Sequence, residues 1–304
     1  MTKTMTMAMT TPNRARPAAG ARSWPWPWRD RAGRLSALKL AVLLAAIGPA
    51  CWIVLQGLFA DLGPRPVNEL IHQTGSWAVR FLVLSLAVTP LRRLANWSRL
   101  IIVRRMLGVT AMAYAVMHLT LYVGDQKFDL WKVGTEIVLR FYLTIGFVAL
   151  TGLIVLGMTS TDDMIKRLGA KRWQRLHRCV YGIAGLALIH FFLQSKLDVS
   201  EATLVTGVTV LLLGHRLMLK LGLGKTPLSV PALAVLSGAA TVLIEAGWYY
   251  GKSGVPVGRV LAANLNLAMA VRPAWWVLAI GLGLAALSAA RTKVQERQAA
   301  PVRA

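Results

Sequence analysis

The sequence predicts an all-α fold, a polytopic integral membrane helical bundle with about eight transmembrane helices. Of its 304 residues, 56% are hydrophobic and the mean hydropathy is +0.53, values typical of integral membrane proteins. The apolar residues form runs close to the ~20 residues with which a helix crosses a hydrocarbon core. Basic residues gather between these runs. The eight runs cover residues 38–58, 75–91, 106–123, 137–158, 176–192, 203–219, 231–250 and 274–290.

These runs divide the chain into three parts. Residues 1–34 form a basic tail in which tryptophan alternates with proline, and we expect it to be disordered, cytoplasmic and in contact with lipid headgroups. Residues 35–220 contain the first six spans, which we expect to form a cofactor-binding core. Residues 221–304 add two further spans and a second basic tail.

The distribution of charge predicts the orientation of the chain. The formal net charge is +23, a value that nucleic-acid-binding proteins also reach. Here the basic residues lie in short loops between apolar spans, so we expect contact with membrane lipid and no nucleic acid. The loops after spans two and four are cationic, whereas those after spans one, three and five are neutral or slightly acidic. The positive-inside rule therefore predicts that both termini lie in the cytoplasm.

Two kinds of motif do not occur in the sequence. The two cysteines, Cys51 and Cys179, form no CxxC or CxxCH pattern, so we expect no disulfide framework, no thiolate metal site and no covalently attached haem. No GxGxxG motif opens a strand–helix unit, so no nicotinamide domain is expected. If the chain takes part in electron transfer, its electrons must therefore come from a membrane quinol, a bound flavin or a separate reductase.

The fifth span carries a histidine near each end. His177 and His190 are thirteen residues apart, which places them ~20 Å apart along a continuous helix, near opposite faces of a membrane. The same spacing turns the two side chains ~140° apart around that helix, so they share no face unless the helix is distorted. Gly182 and Gly185 lie between them and would tolerate such a distortion.

A second helix provides a partner for one of these histidines. Spans three and five both enter from the cytoplasmic side, so His118 and His190 lie at similar depth. Two imidazoles facing each other across a gap are the ligands of a six-coordinate haem b, which favours electron transfer because iron keeps no open position. Ala111, Ala115 and Ala187 leave room for a macrocycle, although close helix packing would also explain them.

His177 has no such obvious partner. It would bind a second, inner haem or border a flavin or quinone site. Arg105 stands at the matching level of span three, and His215, near the inner end of span six, is the remaining candidate for a haem ligand at this depth.

Two arginines and one further histidine lie near the outer ends of the spans. Arg80 and Arg140 fall just inside spans two and four, where they would either extend towards the headgroups or pair with haem propionates. His72 precedes the second span, and we expect it in the outer loop.

The order of these residues resembles the MsrQ family, the haem-binding membrane subunits of periplasmic methionine-sulfoxide reductase systems within the ferric-reductase-like transmembrane superfamily. The resemblance covers about residues 40–220. Typical members end soon after span six, so the last two spans and the long N-terminal tail are additional. The matching residues are 75–78 (GSWA), 89–93 (TPLRR), 104–108 (RRMLG), Tyr114, His118, Tyr122, Asp125, 159–160 (TS), 168–169 (LG), Trp173, 176–178 (LHR), Tyr181 and 190–191 (HF).

The resemblance implies a function for the chain. It implies one or two haem b groups with ligands among His118, His177 and His190, and a possible FMN. It further implies that the chain lies in a bacterial inner membrane and receives electrons from quinol. The electrons would pass to a periplasmic molybdopterin-containing reductase subunit that repairs oxidised methionine in proteins, so the chain would be an electron-transfer subunit rather than the catalytic one.

Two other functions are compatible with the same residues. A stand-alone ferric or metal reductase would use the same haem-binding helices, although such enzymes usually carry a flavin–nicotinamide domain. A transporter or assembly protein would use the histidines only for packing, but no internal repeat or pair of broken helices is visible in the sequence.

Overall fold

The computed structural model describes residues 26–29, 33–59, 62–196, 198–224, 226–268 and 270–299, which are almost entirely helical. No β-strand element occurs within these ranges. Eight of the described helical segments are long and apolar enough to cross a membrane, which confirms the predicted count. The helices are α1 (Ala37–Phe59), α2 (Pro66–Leu94), α3 (Ile101–Asp125), α4 (Leu130–Leu139), α5 (Phe141–Met158), α6 (Asp162–Leu168), α7 (Ala170–His177), α8 (Val180–Gln194), α9 (Ser200–Lys220), α10 (Ser229–Ser253), α11 (Val257–Leu265) and α12 (Pro273–Ala299).

Helix α2 is the centre of the bundle and its most buried span. It begins with Pro66, whose fixed φ suits the first helical position, and ends near Arg92 and Arg93, whose positive charge favours a helix C-terminus. Helices α3, α8, α9 and α12 all pack against it. The resulting apolar core is built around Phe81 and Leu86, which are almost completely buried.

Helix α1 lies at the edge of the bundle. Only Ala46 and Ile53 of this helix are buried, so most of its apolar surface faces outward, as lipid contact requires. The Tyr114 hydroxyl of α3 donates a hydrogen bond to the Ala46 carbonyl at 2.7 Å. The tail predicted over residues 1–34 falls largely outside the described residues; within it, Trp26 and Trp28 stack with ring centres 4.9 Å apart.

Two of the predicted spans are interrupted. Span four was expected as one helix over residues 137–158, but Arg140 has an extended backbone, so α4 ends before it and α5 begins after it. The fifth span was expected to be continuous from His177 to His190. Two turn residues with helical backbone angles, Arg178 and Cys179, join α7 to α8, and the whole segment Ala170–Gln194 is counted as one span. The irregularity therefore lies next to His177 and not at the two glycines.

The C-terminal helices α10, α11 and α12 form a further layer against α9. Gly207 of α9 permits the close approach, because a side chain there would collide with Thr241 of α10 and Val277 of α12. At the other end of this layer, Phe192 of α8 packs on Trp248 of α10, with ring centres 5.0 Å apart.

A buried ion pair joins the C-terminal helices to one another. The fully buried Glu245 carboxylate of α10 lies 2.8 Å from the Arg272 guanidinium and accepts a hydrogen bond from the Asn264 side-chain amide at 2.9 Å. The Trp275 ring nitrogen donates to the Asn264 carbonyl at 2.7 Å. Residues from α10, α11 and the start of α12 are thereby joined, and the charge of the carboxylate is compensated within the protein.

We expect Arg272→Ala to destabilise the protein by about 3 kcal/mol or more, because the substitution leaves a buried carboxylate without its cation. The measurement is thermal unfolding of the detergent-solubilised protein. Arg259→Ala, which removes an exposed cation of α11, is the matched control and should unfold as the unsubstituted protein does. Equal unfolding of the two variants would show that the ion pair contributes no stability.

Candidate functional site

A cavity of 530 Å³ opens at the end of the bundle where α2 begins and α3 ends. Three of the five histidines line it, namely His72, His118 and His190. Most of its deeper wall is apolar, and its volume lies in the range of sites for small ligands and cofactors. Helices α2, α3, α4, α5 and α8 all contribute, and this space is called the His118–His190 cavity below.

His118 reaches the cavity from α3 and is held by α2. Its Nδ1 atom lies 2.8 Å from the Ile71 carbonyl oxygen. Because a carbonyl only accepts hydrogen bonds, Nδ1 carries the proton and Nε2 keeps a free lone pair. The Thr74 hydroxyl donates to the same carbonyl at 2.8 Å, which fixes the direction of the acceptor.

His190 reaches the cavity from α8 and is held in the same way by α5. Its Nδ1 atom lies 2.7 Å from the Tyr142 carbonyl oxygen, so its Nε2 atom is also free to bind a metal. Tyr142 lies in the first turn of α5, directly after the break at Arg140. The interruption of the predicted fourth span therefore lies next to the carbonyl that orients this imidazole.

The two imidazoles are a matched pair. Their ring centres are 6.3 Å apart and their planes are at 83°. A metal–nitrogen bond of about 2 Å, with the ring centre about 1 Å beyond the nitrogen, would place the centres of two imidazoles on opposite sides of one iron about 6 Å apart. The positions of His118 and His190, and the apolar walls around them, thus fit a bis-imidazole haem.

A second cavity of 480 Å³ lies at the opposite end of the same helices. It is called the His177 cavity, because His177 is the one histidine among its described lining residues. The His177 ring stacks on Trp173 with centres 4.0 Å apart, and its Nε2 lies 3.3 Å from the Thr159 hydroxyl. Leu82 and Leu153 line both cavities, so a thin apolar wall separates them.

Arginine side chains give the His177 cavity a positive charge. Arg104, Arg105 and Arg178 line it, with the ring of Tyr181 completing this wall. Arg105 also forms an ion pair with Asp162. This composition suits an anionic or phosphate-bearing ligand, because guanidinium groups bind such oxygens through paired donors.

His215 was the remaining candidate partner of His177. It is buried in α9, and it is not among the described residues that line the His177 cavity. The pairing of these two histidines as ligands of an inner haem stays a prediction.

The remaining predicted residues separate into two groups. Arg140 lines the His118–His190 cavity, where its guanidinium pairs with Glu136 at 2.7 Å. Arg80 is not among the described lining residues; it forms an ion pair with Glu201 of α9 at 2.6 Å and lies over the Trp77 ring. His72 was expected in the outer loop, which is wrong, because α2 begins earlier than its apolar run and includes this residue.

Sequence reasoning did not identify two glycines at the imidazoles. Gly75 of α2 lies against the His118 ring, and Gly146 of α5 lies against the His190 ring. A glycine within an apolar run can indicate a close contact with a neighbouring helix, but the sequence does not show which neighbour the glycine contacts.

Comparison with known proteins identifies similar membrane proteins. The model of the ferric reductase like transmembrane component matches residues 74–193, a range that contains the two facing histidines and His177. A relative from Rhodospirillum rubrum is 41% identical over 191 residues, which cover 62% of this chain and 89% of that protein. It is described as the haem-binding subunit MsrQ of protein-methionine-sulfoxide reductase.

The chain belongs to the MsrQ family. Further MsrQ proteins match from Herminiimonas arsenicoxydans, with 43% identity over 52% of this chain and 73% of that protein, and from Xanthomonas campestris pv. campestris, with 42% identity over 63% and 88%. No solved structure matches the chain. The ferric reductase like match ends before α9, so the layer formed by α10 to α12 lies beyond it.

Proposed function

We propose that the chain is a haem b electron-transfer subunit of a bacterial inner membrane. The observation that carries this proposal is the pair of imidazoles of His118 and His190, 6.3 Å apart, with each Nδ1 bonded to a carbonyl. The description of MsrQ relatives as haem-binding subunits supports it. A haem at this position would supply reversible one-electron transfer.

The residues of the His118–His190 cavity support a role in electron transfer. Carbonyl groups of α2 and α5 keep the protons on both Nδ1 atoms, so each imidazole presents a basic Nε2 to the metal. A haem held by both His118 and His190 would keep no open position for oxygen or substrate. The site would therefore pass electrons and leave substrate chemistry to another protein. Arg140 lies at the cavity wall, where its positive charge suits a haem propionate.

The His177 cavity would hold the electron-donating side of the pathway. Its single described histidine and its three arginines favour FMN, whose phosphate is an anion, over a second bis-histidine haem. A quinol would be the reductant of this group or of the haem directly. Because Leu82 and Leu153 line both cavities, groups bound in the two would be separated by little more than one layer of side chains.

Loop charge and family support one direction of transfer. Because the positive-inside rule favours cationic loops in the cytoplasm, the His177 cavity would lie on the cytoplasmic side and the His118–His190 cavity on the periplasmic side. The relatives are named as subunits of protein-methionine-sulfoxide reductase. The acceptor would be a periplasmic molybdopterin-containing subunit that reduces methionine sulfoxide in oxidised proteins.

A stand-alone metal reductase is the second candidate, because the matching family model is that of a ferric reductase like component. Reoxidation of the reduced protein separates the two. The first proposal expects fast reoxidation by the catalytic subunit and slow reoxidation by ferric chelates, whereas the second expects the reverse order.

The haem proposal is tested by visible spectra of purified variants. The unsubstituted protein should show the reduced α band of low-spin haem b, and both His118→Ala and His190→Ala should lose it, because each substitution removes an axial ligand. His72→Ala is the matched control, since His72 lines the same cavity, and it should keep the band. A folded protein without haem would refute the proposal.

The flavin proposal predicts a separate effect at the other cavity. Arg104→Ala should lower the flavin content several-fold without changing the haem α band, because Arg104 lines only the His177 cavity. Flavin released by denaturation is measured by fluorescence. Arg99→Ala removes an exposed arginine shortly before α3 and serves as control. Equal flavin in both variants, or none in the unsubstituted protein, would contradict the assignment.

The orientation is tested with alkaline phosphatase, which is active only in the periplasm. A fusion after Lys127, between α3 and α4, should be active, whereas a fusion after Trp97, between α2 and α3, should be inactive. The opposite result would place the His118–His190 cavity on the cytoplasmic side and reverse the proposed direction.

A further inference from the structure

The same local arrangement occurs twice around the two facing imidazoles. The Nδ1 atom of His118 bonds to the carbonyl of Ile71, and four residues later in α2 stands Gly75. The Nδ1 atom of His190 bonds to the carbonyl of Tyr142, and four residues later in α5 stands Gly146. Each ring therefore lies over one turn of a neighbouring helix, between a carbonyl and a glycine one turn later.

Both glycines leave space for a ring that a side chain would crowd, severely at Gly146 and less so at Gly75. A Cβ atom at Gly146 would lie 2.7 Å from both Cε1 and Nδ1 of His190, closer than any ordinary contact. A Cβ atom at Gly75 would lie 3.0 Å from Nδ1 of His118 and 3.1 Å from its Cε1. The Nδ1–Cε1 edge of each ring thus rests directly on a bare stretch of helix.

This contact fixes the rotation of each ring as well as its position. Turning an imidazole about its Cβ–Cγ bond would break the hydrogen bond from Nδ1 to the carbonyl, at a cost that is high in an apolar site. A side chain in place of either glycine would press on the edge of the ring, so the glycines leave each ring the space that it occupies. In this arrangement the two ring planes lie at 83°.

We propose that Gly75 and Gly146 are positioning residues that hold the two axial imidazoles perpendicular to each other. This inference rests on the proposed function, in which both rings bind one haem. Perpendicular imidazoles interact with two different iron d orbitals of π symmetry, which keeps these orbitals nearly equal in energy. Ferric haem with that electronic structure gives a highly anisotropic low-spin EPR signal, whereas parallel imidazoles give a rhombic one.

The EPR spectrum of the ferric protein at low temperature tests the orientation. The spectrum is recorded on the unsubstituted chain and on His177→Ala, so that a haem bound at the other cavity does not contribute. A highly anisotropic signal that persists in His177→Ala is expected. A rhombic signal would overturn the inference while leaving the haem assignment intact, and absence of haem from the optical spectrum would overturn the proposed function instead.

Alanine variants test the glycines themselves. Alanine is a better helix former than glycine, so any disturbance arises from the contact with the ring. Gly146→Ala should shift the signal towards the rhombic type or lower haem occupancy, and Gly75→Ala should do so less, because its contact is longer. Gly182→Ala, on the same helix as His190 with no neighbouring atom within 4 Å, is the control.

The outcomes of these variants are distinct. An unchanged spectrum in Gly182→Ala with an altered one in Gly146→Ala or Gly75→Ala supports the inference. Wild-type spectra and full haem occupancy in both ring-facing variants would refute it. If Gly146→Ala does not fold, Gly75→Ala and the spectrum of the unsubstituted protein still decide the question.

Discussion

Two hydrogen bonds between imidazole Nδ1 atoms and helix carbonyl groups orient the facing histidines of this bundle. A polar ring among apolar side chains is costly unless its N–H finds an acceptor, and in a helical bundle the carbonyls are already engaged in their own helices. The Ile71 and Tyr142 carbonyls accept these second bonds because glycines one turn later let the rings approach. The close pairing of α2 with α3 and of α5 with α8 is thus also the pairing that orients the histidines.

The sequence predicts well how deep each residue lies in the membrane, but it predicts poorly which neighbour each side of a helix contacts. Hydropathy and loop charge are one-dimensional properties, and they sufficed for the eight spans and for the equal depth of His118 and His190. Which side of a helix meets which neighbour depends on the packed bundle. The close contacts of Gly75 and Gly146 could therefore not be predicted from spacing.

The sequence did not predict the irregular positions within and at the ends of helices, for a related reason. The extended backbone at Arg140 lies between two apolar stretches, residues 137–139 and the start of α5, so hydropathy alone does not mark this break. His72 was misplaced because α2 extends a further two turns beyond its apolar run into polar sequence. Pro66, whose fixed φ suits the first helical position, was the local signal for this earlier start. Membership of the MsrQ family is consistent with this layout, since the matched range contains His118, His177 and His190.

The apolar wall of Leu82 and Leu153 has an energetic consequence. Hydrocarbon side chains offer no donor or acceptor for a proton, so an electron that passes this wall in the proposed direction crosses unaccompanied. Such a step is electrogenic. A membrane voltage that is negative inside would drive it, with up to about 2.3 kcal/mol per 100 mV for a charge that crosses the whole membrane. In a respiring cell the membrane voltage would then favour electron transfer towards the periplasm. Collapse of the voltage would slow this transfer.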